Sequence, residues 1–255
     1  MSNEGYRVSL CTSAAQLRGA CKVRITVFVE EQGFDIKDEI DQYDPLAAHF
    51  ALTHESDPSR VLGTLRLLPY PLPIPKPDEP GSEPDGSTSY PLGGSRTESA
   101  IAADFVSAAW STHHRPVEAP LDPAQTRAEE EQTAKHMSED RGGKLGRLAL
   151  LKEVRGKKLG HFLVTEAEAW LLRALGDGKT QEQGAFGPPT TADGPSAPSD
   201  EVETLNSIVI KLSSQIYVID FYKRLGYEAV GEQFMEDGAP HQLCCKRIFL
   251  QRPPK

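Results

Sequence analysis

The sequence predicts an α/β domain with a single mixed sheet. Strand-like and helix-like segments follow one another in the order β-α-β-β and then β-α-β-α-β. They form three blocks separated by two long segments rich in Pro, Gly and charge, at about 71–143 and 176–204. Because the cost of closing a loop grows only with the logarithm of its length, both segments are predicted to be insertions in one domain spanning 1–255.

The first block predicts a strand at 7–10, a helix, and two strands at 47–54 and 61–68. The helix is indicated by Ser13 as its N-cap. Apolar residues then recur on one face of it, at Leu17, Cys21, Ile25 and Phe28.

The first insertion holds one further helix-like stretch. Eight of the 23 residues from 69 to 91, around its start, are proline, which excludes a regular helix or central strand there. The stretch TESAIAADFVSAAW at 97–110 predicts one helix capped by Thr97. We expect few core contacts from the insertion as a whole.

The second and third blocks predict the rest of the sheet. A strand at 144–151, the turn RGKKLG at 155–160 and an amphipathic helix follow one another. The third block predicts a strand at 207–213, a helix around 215–227 and a last strand near 241–250.

Composition argues against several classes of protein, namely nucleic-acid-binding, membrane-spanning, secreted and metal-binding proteins. The net charge of −9 argues against a nucleic-acid partner. No apolar run reaches the length of a membrane span, and the N-terminus carries no signal-peptide pattern. The four cysteines form no C-x-x-C pair, so no metal is expected. We therefore expect a cytoplasmic protein, with nuclear presence left open.

The stretch RGKKLG raises the first functional question. A strand, a tight turn and a helix N-terminus together form an anion site, because the first helical N–H groups have no partner within the helix. Taken alone, the cations here are as easily explained by solvated lysines at a helix start.

The neighbouring motifs favour the anion site. LGRLALLKEVRGKKLGHFLVTEAEAWL, followed by LSSQIYVIDFYKRLGY, resembles the GNAT superfamily of acetyltransferases, whose [Q/R]-x-x-G-x-[G/A] turn holds the pyrophosphate of acetyl-CoA. Arg155 matches the first position of that motif and Gly160 the last, while Lys158 stands where the family has glycine. Either Lys158 adopts a positive φ, at about 1–2 kcal/mol, or Gly156 takes over the bend.

A closer resemblance covers nearly all three blocks. VFVEEQGFDIKDEIDQYDPLAAHFAL, GRLALL, SSQIYVIDFYKRLGY and FMEDGAPH look like the ElaA/YjcF branch of the superfamily. RITVFVEEQGF, EIDQYD and VLGTLRLLPY are also similar to the acyl-homoserine-lactone synthases, which lack the FYKRLGY and GAPH endings.

The resemblance implies a GNAT fold with a mixed, mostly antiparallel sheet, and acetyl-CoA as co-substrate without a metal. It implies direct attack of a primary amine on the acetyl group in a ternary complex. We expect the acceptor to be a small-molecule or peptide amine and the protein to be a monomer or homodimer. The implied coenzyme-binding residues are Leu148, Ala149, Leu150, Arg155, Gly156, Lys157, Lys158, Leu159, Gly160, His161, Ser213 and Tyr222.

The implied catalytic groups are a general acid and a base. Tyr222 matches the tyrosine that the family places near the coenzyme sulfur, although it also suits an amphipathic core position. His49 and His241 are candidate bases, because an ordinary histidine titrates near neutral pH. Glu31 is the remaining catalytic candidate.

The acidic stretch 30–44 is either a solvated loop or the acceptor side of the site. On the second interpretation the acceptor residues are Glu31, Gln32, Asp41, Arg66 and His241. The strand residue Arg66 faces either the pocket or solvent. Two alternatives stay open: an acyltransferase like the homoserine-lactone synthases, and a non-catalytic acyl-CoA-binding protein.

Overall fold

The computed structural model describes residues 3–41, 43–70, 95–113, 142–176, 207–236 and 238–249. Its sheet has the strand order β1-β2-β3-β4-β5-β7-β6, and every neighbouring pair is antiparallel except β4 and β5. The predicted fold class, a mixed and mostly antiparallel sheet flanked by helices, is confirmed. The strands are β1 (Tyr6–Leu10), β2 (Ala48–His54), β3 (Gly63–Tyr70), β4 (Gly142–Leu150), β5 (Ser207–Gln215), β6 (Glu228–Glu236) and β7 (Ala239–Phe249).

Helices cover both faces of the sheet. They are α1 (Ala14–Arg24), α2 (Glu98–His113), α3 (Leu159–Gly176) and α4 (Ile219–Lys223). The apolar stripe of α3 packs with α2 against one face, in the largest core cluster. A second, smaller cluster joins α1 to the opposite face. The described segments of all three blocks therefore bury their apolar faces against one sheet.

The first predicted helix changes its geometry halfway. Ser13 caps α1 as expected: its side chain accepts a hydrogen bond from the Gln16 backbone N–H, and the Gln16 side-chain oxygen accepts one from the Ser13 backbone N–H. At Ile25 the α-helix gives way to a π-helical segment, Ile25–Glu31. Short π-helical segments of this kind are frequent at functional sites.

The helix inside the first insertion belongs to the core. Thr97 caps α2 by accepting a hydrogen bond from the Ala100 amide at 3.1 Å. Ile101 and Phe105 are buried, and Phe105 meets the ring of Trp170 edge-on at 5.3 Å. The expectation of few core contacts from this insertion was therefore wrong for α2, because two of its apolar residues fill the space between β3 and α3.

The other boundaries differ less. β4 begins at Gly142, just inside the predicted first insertion. The stretch 215–227 forms only a 3₁₀ turn, Ile216–Val218, and the short helix α4. β6 was missed by the sequence reasoning. The remaining parts of the two insertions, 71–94, 114–141 and 177–204, lie outside the described residues. No helix among the described ranges is long and apolar enough to cross a membrane.

Candidate active site

The central feature of the site is a wedge between β4 and β5. These parallel strands pair only at Gly142↔Val209, Gly143↔Ile210 and Lys144↔Lys211. Beyond these pairs, β4 continues to Leu150 and β5 to Gln215 without pairing to each other. Backbone groups along the two inner edges are therefore left for another partner, since backbone N–H and C=O groups require one.

A β-bulge in β4 lies on the wall of this wedge. Thr64 pairs with Ala149 and Arg66 pairs with Gly146, so two residues of β4 stand opposite one residue of β3. Arg147 takes up the irregularity with a φ of 49°. A bulge removes backbone groups from the ladder and redirects them. The backbone N–H groups of residues 148–150, predicted to bind the coenzyme, therefore directly follow the bulge residue Arg147.

The turn at 155–160, called the phosphate turn after its predicted ligand, has two residues in the left-handed region of backbone angles. After a 3₁₀ turn at Lys152–Val154, Gly156 has a φ of 76° and Lys158 a φ of 62°. The sequence left open whether Lys158 or Gly156 would adopt the positive φ that the turn requires. In the structure both residues adopt one. Lys158 stands at a position that favours glycine, at a cost of about 1–2 kcal/mol. α3 begins immediately afterwards, with its first amides at the turn.

The first turn of α3 packs against α4. A Cβ placed on Gly160 would lie 3.2 Å from Cε2 of Phe221, and the Phe221 and His161 rings are 4.8 Å apart. Since α4 follows β5 directly, this contact ties the far wall of the wedge to the helix that opens the phosphate turn. Phe221 was not among the predicted site residues.

Tyr222 follows Phe221 and is buried, with 8% of its surface exposed. Its ring meets those of Phe221 at 5.0 Å and Tyr227 at 5.7 Å. Burial, with a smaller contribution from Cys244, raises the pKa of the Tyr222 phenol well above its ordinary value, so the phenol is protonated at neutral pH. This environment fits both interpretations made from the sequence, a general acid and a core aromatic.

Ser213 lies on the part of β5 that β4 does not pair. Its Oγ is buried and has no hydrogen-bond partner among the residues that the structure describes. Buried hydroxyl groups are nearly always hydrogen-bonded, so this one has capacity for a ligand. It is the described side chain on β5 that best fits the predicted coenzyme contact.

Glu31 and Gln32 meet both sides of the wedge. Arg155 donates from Nη2 to Oε2 of Glu31 at 2.8 Å and from Nε to the Leu150 carbonyl at 2.7 Å. Gln215, the last residue of β5, donates from Nε2 to Oε1 of Gln32 at 3.4 Å. The end of the π-helical segment therefore lies across the wedge where both strands stop.

A buried ionic cluster lies beside the wedge, on the α1 side of the sheet. Arg24 is fully buried and donates to Glu39 and, at 2.7 Å, to Oδ1 of Asp44. Arg66 donates to both carboxylate oxygens of Asp41, at 2.7 and 2.9 Å. Burial alone would raise the pKa of Asp44, but the guanidinium groups of Arg66 and Arg24 outweigh it and hold that pKa well below its usual range.

The cluster changes the interpretation of two predicted acceptor residues. Asp41 and Arg66 neutralise each other, so neither presents a free charge to an amine. Arg66 was expected to face pocket or solvent; instead it is buried within the cluster. Arg147 extends the cluster to the β4 bulge, 3.5 Å from Glu39 and 3.7 Å from Asp41.

His49 also belongs to the cluster. Its Nε2 lies 2.9 Å from the Asp44 carbonyl oxygen, and its buried Nδ1 has no hydrogen-bond partner within the described ranges of the chain. Burial lowers the pKa of the imidazole to about 4, although the nearby Asp44 carboxylate opposes the shift. A base of that strength, enclosed among charged side chains, is poorly suited to take a proton from an amine.

Because His49 is buried, we expect the stability of the fold to fall as the pH is lowered. Between pH 6.5 and 4 the unfolded chain binds the extra proton and the folded chain does not, so stability falls as the pH is lowered. We expect a loss of about 2 kcal/mol between pH 7.5 and 5 from this group. His49→Gln, which cannot titrate, should flatten the pH dependence of urea unfolding by that amount. Parallel curves for the two proteins would show that His49 is not responsible.

His241 lies on the other side of the wedge. It pairs with Gln215 across β5 and β7, and its ring stacks on Phe234 at 6.4 Å. Its Nδ1 lies 2.9 Å from the Ala239 carbonyl oxygen, which leaves Nε2 for another partner. Of the two candidate histidines, His241 is the one placed at the end of β5.

The predicted residues thus divide among three places. The wedge and its mouth collect the bulge, the phosphate turn, and the side chains Glu31, Gln32 and Ser213, with His241 at the end of β5. Tyr222 is buried in the main core cluster, against Phe221 and Tyr227. The buried cluster holds His49, Asp41 and Arg66. Sequence reasoning missed Arg24, Glu39 and Asp44. The sequence signal that could have indicated this cluster was Arg24. It is a cation seven residues after Leu17, and that spacing places it on the apolar face of α1.

No protein-family model matches the chain. One segment of 38 residues is 47% identical to the uncharacterised protein YyaT of Bacillus subtilis strain 168; it spans 15% of this chain and 26% of YyaT. Among solved structures, an acyl-CoA N-acyltransferase from Pseudomonas aeruginosa is similar at 17% identity, with a TM-score of 0.47 and 94% and 97% of the two chains covered.

ElaA of Escherichia coli, from the branch that the sequence resembles, is similar at 16% identity, with a TM-score of 0.48 and the same coverage of 94% and 97%. The acyl-homoserine-lactone synthase BjaI, solved with isopentyl-CoA, is similar at 14% identity, with a TM-score of 0.44 and coverage of 90% and 74%. At these identities and TM-scores, the similarities carry no assignment of function to this chain.

Proposed function

We propose that the protein is a CoA-dependent N-acyltransferase that transfers the acetyl group of acetyl-CoA to a primary amine. The observation that carries the proposal is the wedge between β4 and β5, with a β-bulge on one wall and, at its mouth, a turn with two positive-φ residues that leads into the N-terminus of α3. An extended pantetheine arm suits the first feature, because it can pair with unpaired strand edges. A diphosphate suits the second.

In this proposal the amine nitrogen attacks the carbonyl carbon of the thioester. The C–N bond forms, the C–S bond breaks, and the amine gives one proton to His241, the candidate base at the end of β5. Solvent takes that proton from His241 and returns one to Tyr222. Backbone amides at the bulge polarise the carbonyl oxygen, as donors aimed at a developing negative charge do. Tyr222 gives its phenolic proton to the departing thiolate. No covalent enzyme intermediate is needed: the four cysteines are all buried, and burial raises the pKa of the thiols of Cys11 and Cys21.

The experiment that tests the function combines binding with turnover. Calorimetry should show binding of acetyl-CoA, and a thiol-reactive dye should report CoA release when amines from a panel of polyamines, amino sugars and peptides are added. Binding without thiol release from any amine would favour a non-catalytic acyl-CoA-binding protein. Turnover only with an acyl carrier protein and S-adenosylmethionine would favour a homoserine-lactone-synthase-like reaction.

A substitution at Gly160 tests the phosphate turn. Gly160→Asp brings a carboxylate to the first turn of α3, so affinity for acetyl-CoA should fall at least tenfold, about 1.4 kcal/mol. The matched control is Gly160→Ala, because its Cβ meets Phe221 at the same 3.2 Å without adding charge. Equal calorimetric affinities for the two variants would mean that packing, and not phosphate repulsion, sets the effect.

A further inference from the structure

The ion pair between Glu31 and Arg155 joins two distant parts of the chain at the wedge mouth. Glu31 ends the π-helical segment, and Arg155 begins the phosphate turn. Two nitrogens of the guanidinium are engaged, one by Oε2 of Glu31 at 2.8 Å and one by the Leu150 carbonyl at 2.7 Å. The Glu31 side chain is only 16% exposed, while that of Arg155 is 39% exposed. Arg155 is therefore the more accessible partner.

A diphosphate on this turn would compete with Glu31 for the same guanidinium. Arginine forms its strongest hydrogen bonds with phosphate and carboxylate oxygens, and it binds them through the same N–H groups. When the guanidinium turns to the diphosphate, the Glu31 carboxylate keeps its negative charge in a largely buried position. A buried charge without a partner is costly, so this position then favours a cation. The ammonium group of an amine substrate has the required charge.

Gln32, the residue after Glu31, shows where the ion pair lies relative to the two walls of the wedge. Gln32 follows Glu31 directly and accepts a hydrogen bond from Gln215 at the end of β5. Glu31 therefore lies between the turn on the β4 side and the end of the β5 wall. An amine bound to its carboxylate would therefore lie at the wedge mouth.

We propose that the Glu31–Arg155 pair is exchanged during the reaction. The diphosphate of the acyl-CoA takes Arg155, and the released Glu31 carboxylate becomes the binding group for the ammonium of the acceptor. The donor then binds first and creates the site for the amine. The inference rests on the proposed function and adds to it a substrate order and the charge of the acceptor. Because coupling between two sites is reciprocal, a bound amine must also tighten donor binding.

Calorimetry with CoA tests the exchange without an acceptor. Glu31→Gln removes the competing carboxylate, so CoA should bind about fivefold more tightly or better, the lower end of typical coupling between sites. The matched control is Glu30→Gln, which removes one exposed negative charge from the adjacent residue and should change affinity less than twofold. In an Arg155→Gln background, Glu31→Gln should have no larger effect than Glu30→Gln.

Equal or weaker CoA binding by Glu31→Gln would overturn the exchange, since Glu31 would then serve only to orient Arg155. In that case wild-type binding of CoA would still support the proposed function. An absence of CoA binding by the wild type would instead remove both.

Turnover of the best amine from the panel supplies a second readout. Glu31→Gln should raise the KM for the amine at least tenfold, about 1.4 kcal/mol, with a smaller change in kcat. CoA should inhibit competitively against acetyl-CoA and not against the amine. An unchanged KM for the amine together with random substrate order would contradict the proposal.

Discussion

Replacing Tyr222 by Phe should lower kcat for acetyl transfer by about 10²–10⁴-fold, the usual cost of losing a general acid or base. The substitution keeps the ring and its edge-on contacts with Phe221 and Tyr227, and it deletes only the phenolic proton. Burial raises the pKa of that phenol, so it is protonated throughout the neutral range and can donate to a thiolate. CoA is a fairly good leaving group, so we expect the lower end of the range.

The control for Tyr222→Phe is stability and donor affinity. Among the described residues no hydrogen bond to the Tyr222 hydroxyl is found, so its removal should leave the melting temperature and acetyl-CoA affinity close to those of the wild type. A variant that turns over an identified amine at the wild-type rate would show that water or another group protonates the thiolate, and Tyr222 would then be a core aromatic only.

The sheet was largely predictable because its strands carry their own pattern. Six of the seven strands follow from apolar runs bounded by turn residues. β6 was missed because its residues, EAVGEQFME, are exposed or half-buried along its whole length at the sheet edge, so no face of it is selected for apolar side chains. A pattern that depends on burial cannot indicate a strand that is not buried.

The site was less predictable because it depends on backbone angles and long-range pairing. Residue type favours glycine at a positive φ, yet Lys158 and Arg147 both adopt one. The acidic stretch looked solvated in sequence. In the fold its carboxylates meet Arg24 from α1 and Arg66 from β3, a match set by strand register and not by spacing along the chain.

The Glu31–Arg155 pair illustrates the same limit. Glu31 was predicted as a catalytic and acceptor residue, and Arg155 as a coenzyme-binding residue, each from its own motif. Their separation of 124 residues hides the fact that they share one hydrogen bond. Each motif indicated its own role, and only the fold shows that the two side chains are hydrogen-bonded to each other. The proposed exchange is argued from that contact.

Asp44→Asn should reduce the free energy of unfolding by about 3–5 kcal/mol, as expected when one partner of a buried ion pair is removed. Asp44 is fully buried, accepts from Arg24 at 2.7 Å and lies 3.1 Å from a nitrogen of Arg66. Asparagine keeps the shape but leaves both guanidinium groups with less negative charge in a site that water does not reach.

The matched control for Asp44→Asn is Glu55→Gln, which breaks the exposed Arg7–Glu55 pair at 3.0 Å and should cost less than about 1 kcal/mol. Urea unfolding at pH 7.5 measures the free energy of unfolding of both variants. Each substitution removes one carboxylate that is paired with one or two arginines, so the difference between the two losses reports the effect of burial. If Asp44→Asn loses no more than Glu55→Gln, the cluster does not stabilise the fold. The clustering of three arginines and three acids beside the wedge would then have to be explained by the reaction.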